Sequence, residues 1–533
     1  MASTFIVAVD IIMASLFLLL LITFRDYKRR RGLPYPPGPK PWPIIGNLLD
    51  SPKQLPWIAY TEMSKKYGDI LYLQVFGQSV VVLCSLSVVK DLFEKRGDIY
   101  SDRPAWPMPE IMGVDWLLAF TRYGEDWRER RKIADRILRP GAMSLYHRRI
   151  EGNTHAFLSR LLVAPADFRG HVDLSVVLSI SSYFSLEMVE SRRSQGQLIM
   201  SLVYGYNLKE NDEIIKAPVQ LLRVLSRFVL PGAALVNHFP LLRHIPSWVP
   251  WFSYESLARL GRELGHRTMN EPIDFVKSAM RDGTAVLSLA REQLLEVKSL
   301  NGPERQLEED VIKRVLGSMY EAGVDTAAST TTSLFVALTL YPEVQRRAQA
   351  QIDSVVSRDR LPTFKDRSRL PYIEAICKEL LRWQMVAPMG FPHASTEDGV
   401  YRGFFIPKGS MMIVNSWGIL HNPELYPDPE TFNPERFLNE DGTFRDDPMI
   451  SLAFGGGKRI CPARHLADMS LFMIAVSVLS VFNVTKAKDE NGYEIPVSPM
   501  VEVNAVVCYP AKFECSIRPR DKVAEDLIRD NQA

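Results

Sequence analysis

Cysteine is scarce in this chain. The five residues, Cys84, Cys377, Cys461, Cys508 and Cys515, are odd in number and scattered along it. That pattern argues against a disulfide framework and fits a reducing compartment. A surplus of either charge is missing as well. Lys and Arg number 64 against 62 Asp and Glu, a net charge of +2, so the balance gives no reason to expect a nucleic-acid partner. Internal repeats and low-complexity tracts are absent. What remains is an ordinary globular composition, 46% hydrophobic and 24% charged. Its 533 residues are enough to bury one large core or to divide into two or three domains.

Long apolar runs are rare, and the one of membrane-spanning length stands at the start. Phe5 to Phe24 is twenty residues with Asp10 as the only charge, enough to cross a bilayer as a helix. A cleavable signal peptide carries its positive charge before the apolar run and a small-residue site after it. Here the order is reversed, with Arg25, Lys28, Arg29, Arg30 and Arg31 following. Residues 1–31 therefore read as an uncleaved single-pass anchor whose C-terminal side lies in the cytosol. In the connector that follows, 32–46, six prolines fall between Pro34 and Pro43. They force an extended, stiff spacer between the membrane and the remaining body, 47–533.

The chemistry concentrates in Phe454-Gly455-Gly456-Gly457-Lys458-Arg459-Ile460-Cys461-Pro462-Ala463, directly before the apolar helical pattern Leu466 to Phe482. A thiol there is placed to feel Arg459, free backbone N–H groups and the positive end of the following helix, all of which favour thiolate. A thiolate is a nucleophile or a metal ligand. As a nucleophile Cys461 has only His465 nearby as a base. As a ligand it stands alone, which disfavours zinc and iron–sulfur sites and leaves haem.

Four positions of that stretch, Phe454-x-x-Gly457-x-Arg459-x-Cys461, resemble the haem-binding signature of the cytochrome P450 superfamily. Ala463 departs from it, standing where the family most often has glycine. Other stretches carry the resemblance along the chain, and each also has a plain reading. Trp127 and Arg131, at i and i+4 on the basic helix expected over Thr121 to Ile137, fit a charged surface helix; in the family such a pair binds a haem propionate. Glu308 to Leu340 is a long helical pattern stopped by Pro342. In its middle, Ala322-Gly323-Val324-Asp325-Thr326 resembles the oxygen-activating motif of the distal helix. Gly323 costs helix stability and suggests close approach by something bulky, and Thr326 can bond back to the Ala322 carbonyl. Glu379 and Arg382, on a helix expected over Leu370 to Met385, would be a weak surface pair if exposed. In the family they lock with an arginine of the Pro434-Glu435-Arg436-Phe437 type and hold the cysteine loop. His393 matches a propionate-binding position.

Short strands are expected at Ile70 to Val75, Ser79 to Cys84, Tyr401 to Ile406 and Met411 to Asn415, and a helix over Gln54 to Tyr67. The tail, Val501 to Arg518, reads as one β-hairpin turning at Tyr509-Pro510, with Cys508 and Cys515 as buried thiols. Pro104 to Phe120 is irregular and too apolar for an exposed loop, which suits a substrate pocket. Residues 141 to 300 read as successive helices. Leu235 to Phe252, aromatic and broken by proline, suits either the core or the membrane interface.

The resemblance implies a mainly α-helical fold with a long central helix, a helical bundle and a small β portion. It implies haem b held by Cys461, with Trp127, Arg131, His393, Phe454 and Arg459 around it and Glu379, Arg382 and Arg436 supporting the loop. It further implies a monooxygenase, with Asp325 and Thr326 delivering protons. Electrons would come from an NADPH–cytochrome reductase, with cytochrome b5 as a second donor, and the substrate would be an apolar small molecule such as a terpenoid, polyketide or aromatic metabolite. The phrasing around Glu379 and Arg436 most resembles fungal members of secondary metabolism, on the cytosolic side of the endoplasmic reticulum membrane. The alternatives are a haem-thiolate isomerase, dehydratase or peroxygenase, and a non-enzymatic haem-binding membrane protein.

Overall fold

The computed structural model describes residues 24–165, 168, 193–207, 212–229, 234–245, 255–504 and 507–531. The expected anchor up to Thr23, and Trp248 and Trp251 of the aromatic segment, lie outside those residues. Helices of nine residues or more are labelled here. Phe24 to Arg29 is helical, and Arg29 forms an ion pair with Asp398. The proline-rich connector is packed against the body. Prolines cannot donate to a sheet but keep their carbonyls, and these are used: Pro37 O accepts from Tyr72 N–H and Pro34 O from Phe405 N–H, each at 2.8 Å. Tyr35 stacks on Tyr72 at 4.5 Å.

Helix α1 (Pro56–Tyr67) leads into the hairpin β1 (Ile70–Val75) and β2 (Gln78–Leu83). A helical half follows: α2 (Glu125–Leu138), α3 (His147–Val163), α4 (Arg193–Tyr204), α5 (Lys216–Val229), α6 (Glu255–Arg281), α7 (Gly302–Leu340), α8 (Pro342–Val355) and α9 (Pro371–Trp383). Then come β3 (His393–Ala394), the hairpin β4 (Gly399–Tyr401) and β5 (Phe404–Ile406), β6 (Met411–Val414), α10 (Arg464–Val481) and β7 (Phe482–Lys486). The chain ends with β8 (Val501–Asn504), β9 (Val507–Pro510), β10 (Cys515–Pro519) and α11 (Lys522–Asp530).

The largest sheet has the order β1-β2-β6-β3, with β6 parallel to β2 and β3 antiparallel to β6. It therefore joins the N-terminal hairpin to strands more than 300 residues later. The tail differs from the single hairpin expected. β8 pairs with β9, whereas β10 crosses to β7 and forms a separate ladder. Pro510 ends β9 instead of turning it, because the four residues before Cys515 carry the chain to another partner. Tyr401 to Ile406 is likewise two strands, turned at Arg402-Gly403 where both residues have positive φ.

Helix α7 organises the core. Its 39 residues span about 58 Å at 1.5 Å per residue, and Pro303 and Pro342 bound it. From Thr331 to Thr339 every side chain is buried, and the hydroxyls of Thr331, Thr332, Ser333 and Thr339 are satisfied by donating to carbonyls four residues back in the helix. Gly323 does make room for something bulky, but the neighbour is Ile199 of α4: a Cβ added at Gly323 would lie 2.9 Å from Ile199 Cδ1. Helix α10 packs against α7 and α9. Among the described residues it alone is long and apolar enough to cross a membrane, and 72% of it is buried inside the fold. It is a core helix.

Candidate functional site

The cysteine loop is built from tight turns. Pro448–Phe454 is a 3₁₀ turn, Gly457–Arg459 is another, and α10 begins at Arg464. The Phe454 carbonyl accepts from Cys461 N–H at 2.8 Å, which folds the loop back on itself. Gly457 has φ +60° and lies so near the Phe93 carbonyl that a Cβ would sit 2.2 Å from that oxygen. Only glycine meets both demands.

The electrostatics of Cys461 differ from the sequence expectation. Burial pushes the thiol pKa up, and Ala463 N–H, Arg131 and Arg464 only partly offset that. Arg459 takes no part. The cations act on the loop backbone: Arg131 Nη1 donates to Ile460 O at 2.6 Å and Arg464 Nη1 to Cys461 O at 3.2 Å. A buried thiol of raised pKa is a poor free nucleophile. His465 does not change this, since its Nε2 is buried without a hydrogen-bond partner and burial lowers its own pKa. A bound cation removes the penalty by compensating the thiolate directly. Among the described residues no three His, Cys, Asp or Glu side chains gather to hold a metal ion, so a metal at Cys461 must bring most of its ligands with it.

Beside the loop lies a group of buried bases with no carboxylate hydrogen-bonded to them. Arg459 donates to Ser101 O and Thr121 O at 2.8 and 3.0 Å and lies 4.3 Å over the ring of Trp127. Its Nη1 is buried without a partner, and burial brings its pKa down to about 10. Arg103 donates to Phe391 O and Pro392 O, lies 4.9 Å over the Phe391 ring, and leaves Nε buried and unpartnered. Burial, then repulsion from Arg459, hold its pKa well below the usual guanidinium value. His393 on β3 stacks on Phe93 at 4.1 Å and gives its Nδ1 hydrogen to Tyr100 O. Burial, Arg103 and Arg459 hold it neutral. The nearby carboxylate, Asp102, is already taken by Arg122 and by Tyr123 N–H.

Two guanidinium groups and an imidazole thus lie among aromatic rings and main-chain carbonyls, and N–H groups remain spare. This is a cradle for carboxylates. A planar ligand that carries two carboxylates and a metal fits both halves of the site, the thiol and the cradle. Arg103 was not singled out in the sequence. A lone cation entering the apolar stretch from Pro104 was its only signal.

On α7, Thr326 donates its hydroxyl to Ala322 O at 2.9 Å, and both residues are exposed. Asp325 is buried, and Tyr509 Oη of β9 reaches its backbone carbonyl at 3.5 Å. The acid and the hydroxyl therefore leave the helix on different faces. Pro104 to Phe120 holds one short helix, Pro107–Ile111, and Trp106, Phe120 and Phe391 pack edge to face at 5.2 to 6.5 Å.

Glu379 and Arg382 of α9 are fully buried, joined at 2.6 and 2.8 Å. Arg436 Nε lies 3.4 Å from Glu379 as an ion pair without a hydrogen bond, while its Nη2 donates to Asp428 O. Asn433 N–H also donates to Glu379, so one carboxylate ties α9 to the segment Pro434–Phe437.

A model of the family described as Cytochrome P450 matches residues 36–508. The chain is 38% identical over 507 residues to "Cytochrome P450 monooxygenase COX2" of Coprinopsis cinerea, covering 94% of this chain and 92% of that protein. It is 37% identical over 518 residues to "Cytochrome P450 monooxygenase 208" of Postia placenta, covering 96% and 95%. With "Cytochrome P450 monooxygenase claR" of Ampulloclitocybe clavipes the identity is 36% over 509 residues, covering 94% and 89%.

Proposed function

This chain belongs to the cytochrome P450 family and is a monooxygenase, and from that premise we propose that it binds haem b through Cys461, with its propionates on Arg103, Arg459 and His393. The family brings a haem-thiolate centre, a reductase partner and a small-molecule substrate. The observation that carries the residue assignment is the buried cationic cradle beside the cysteine loop, with spare N–H groups on Arg103 and Arg459. Arg131 and Trp127 belong to the same wall. Arg131 holds the loop through Ile460 O, and Trp127 supports the Arg459 guanidinium. When bound, the haem activates dioxygen, and its thiolate ligand supplies the electron density that this needs.

Removing one spare cationic donor tests the cradle. A hydrogen bond to a charged group is worth about 1.5–3 kcal/mol, or about 10- to 100-fold in affinity. Arg103→Leu should therefore lose haem faster to an excess of a haem acceptor while keeping the Cys461-ligated spectrum. Unchanged haem transfer would remove Arg103 from the cradle.

The substrate side is apolar. Trp106, Phe120 and Phe391 form an aromatic wall, and the neighbouring Met108, Met112 and Leu117 are buried. That lining suits a terpenoid, polyketide or aromatic skeleton held by contact area. Residues 47–533 would be the catalytic body, fed with electrons by an NADPH–cytochrome reductase and optionally by cytochrome b5. Fungal members of the family are typically anchored in the endoplasmic reticulum. Here residues 1–31 would supply a single-pass anchor, with the body in the cytosol. Exposed apolar side chains support additional membrane contact: Trp42 and Ile44 of the connector, and Leu241 with Phe239, whose ring meets Phe76 of the β1–β2 turn at 5.5 Å.

Asp325 and Thr326 are assigned to proton delivery. Positioned proton transfer contributes about 10²–10⁴-fold. Thr326→Ala should keep thiolate ligation and substrate binding but yield far less product per NADPH consumed, with hydrogen peroxide released instead. Added peroxide in place of NADPH and dioxygen should restore part of the activity. Full coupling in Thr326→Ala would reduce this hydroxyl to helix packing and leave proton delivery to other groups.

A further inference from the structure

One buried acid has no place in the assignments above. Glu321 lies on α7 four residues before Asp325, where i and i+4 side chains are neighbours. Its side chain is 7% exposed, and its Oε1 is buried without a hydrogen-bond partner. Burial, and then the Asp325 carboxyl, push its pKa up to about 8.

Among the described residues, the packing around this stretch supplies no cation that acts on it. Helices α2, α4, α5 and α6 and strand β9 pack on α7, and α5 carries Lys216 and Arg223, yet Asp325 is the one charge that acts on Glu321 among the described residues. Arg130 of α2 is committed to Asp126, Thr121 and the Trp116 carbonyl. Tyr320 gives its hydroxyl to the Ile214 carbonyl and meets Tyr204 of α4 edge to face. Tyr509 of β9 reaches the Asp325 backbone. An acid buried in this way costs stability, and an apolar residue would pack there more favourably. Two carboxyls at this spacing cannot both ionise cheaply, so the pair retains a proton near neutral pH.

We propose that Glu321 is the proton reserve of Asp325, a positioning residue that acts through Asp325 and never touches the reacting atoms. This rests on the reading of Asp325 and Thr326 as the proton-delivery pair. Once the two carboxyls come into hydrogen-bond contact, the Glu321 O–H bond breaks and an Asp325 O–H bond forms, and Asp325 then passes that proton toward Thr326. The negative charge then sits on Glu321, and a proton from solvent refills it. Below pH 8 Glu321 holds its proton and the reserve is full. As pH rises through 8 the reserve empties, and a second negative charge appears beside Asp325.

The test uses the full-length holoenzyme with its reductase and two readouts. The first is the infrared carbonyl band of a protonated buried carboxylic acid. It should be present in the parent at pH 7, disappear as pH rises through about 8, and be missing from Glu321→Gln at every pH. The second is product formed per NADPH against pH. The parent should lose coupling through the same range. Glu321→Gln should retain thiolate-ligated haem, couple at least about tenfold less well at pH 7, and show no inflection near 8. Glu321→Asp should recover the inflection, which a purely structural role would not require. Absence of the band in the parent, or a parental coupling profile in Glu321→Gln, overturns the proposal. Asp325→Asn separates the two readings: if it uncouples while Glu321→Gln does not, the reserve alone fails, and if it couples normally, the delivery role of Asp325 fails.

Discussion

Cys461→Ser should abolish the red-shifted Soret band of the reduced carbon monoxide adduct completely. The expectation follows from the number of donors. Cys461 has no second cysteine near it, and among the described residues no other cluster of ligating side chains is present to substitute. The remaining cysteines are remote in sequence, and burial raises the pKa of Cys84, Cys377 and Cys508. Serine preserves the volume of the side chain and the Phe454–Cys461 backbone bond, so loop geometry should survive. Its hydroxyl does not ionise near neutral pH, and the electron-rich axial ligand is lost. Haem that remains in the cradle should show the band of a neutral or oxygen-ligated centre, and monooxygenation should fall to background. A retained thiolate-type band in Cys461→Ser would place the ligand elsewhere and remove the basis of the site assignment.

Much of this was legible in the sequence because the relevant signals are local. The cysteine loop announces itself through three consecutive glycines and a following apolar helix. Helix α7 is long, periodic and closed by a proline. Glu379 and Arg382 share a helix turn, so their pairing needs no knowledge of the fold. What escaped depends on contacts between distant segments. Arg103 and Phe391 are 288 residues apart, and no spacing rule joins them. The tail was misread because β10 pairs with β7, a partner that turn signals near Pro510 cannot reveal. Gly323 was read correctly as a place of close approach, but the neighbour is Ile199 of α4. The thiol was expected to be stabilised by Arg459, whose side chain turns away to Ser101 and Thr121. Burial, which raises the thiol pKa, is a tertiary property and was invisible along the chain. Glu321 was within reach, since an acid four residues before another acid on an apolar helix already conflicts with its surroundings.

Glu379→Ala should yield little folded holoprotein. Glu379 and Arg382 have no exposed side-chain surface, and their two hydrogen bonds are direct. Truncating the acid leaves Arg382 with the carbonyls of Leu420 and Pro429 but without a counter-charge. It also strips Asn433 N–H of its acceptor and leaves Arg436 without its ion pair. Removing one partner of a buried pair costs about 3–5 kcal/mol, a large part of the 5–15 kcal/mol that separates a typical native domain from its unfolded ensemble. The damage should be directional. Glu379 holds the segment 433–437, which leads into the cysteine loop, so haem retention should fail before the helical core melts. Haem content per folded protein, measured alongside thermal unfolding in detergent, reads both effects. Glu379→Gln keeps an acceptor for Asn433 and should lie between parent and Glu379→Ala. Replacing Glu379 and Arg382 together by apolar residues of similar volume removes the stranded charge, and should recover more folded protein than Glu379→Ala does. A Glu379→Ala protein with parental haem content and parental unfolding would show that the pair contributes no more than a surface bridge. It would also show that the cysteine loop is held by its own turns.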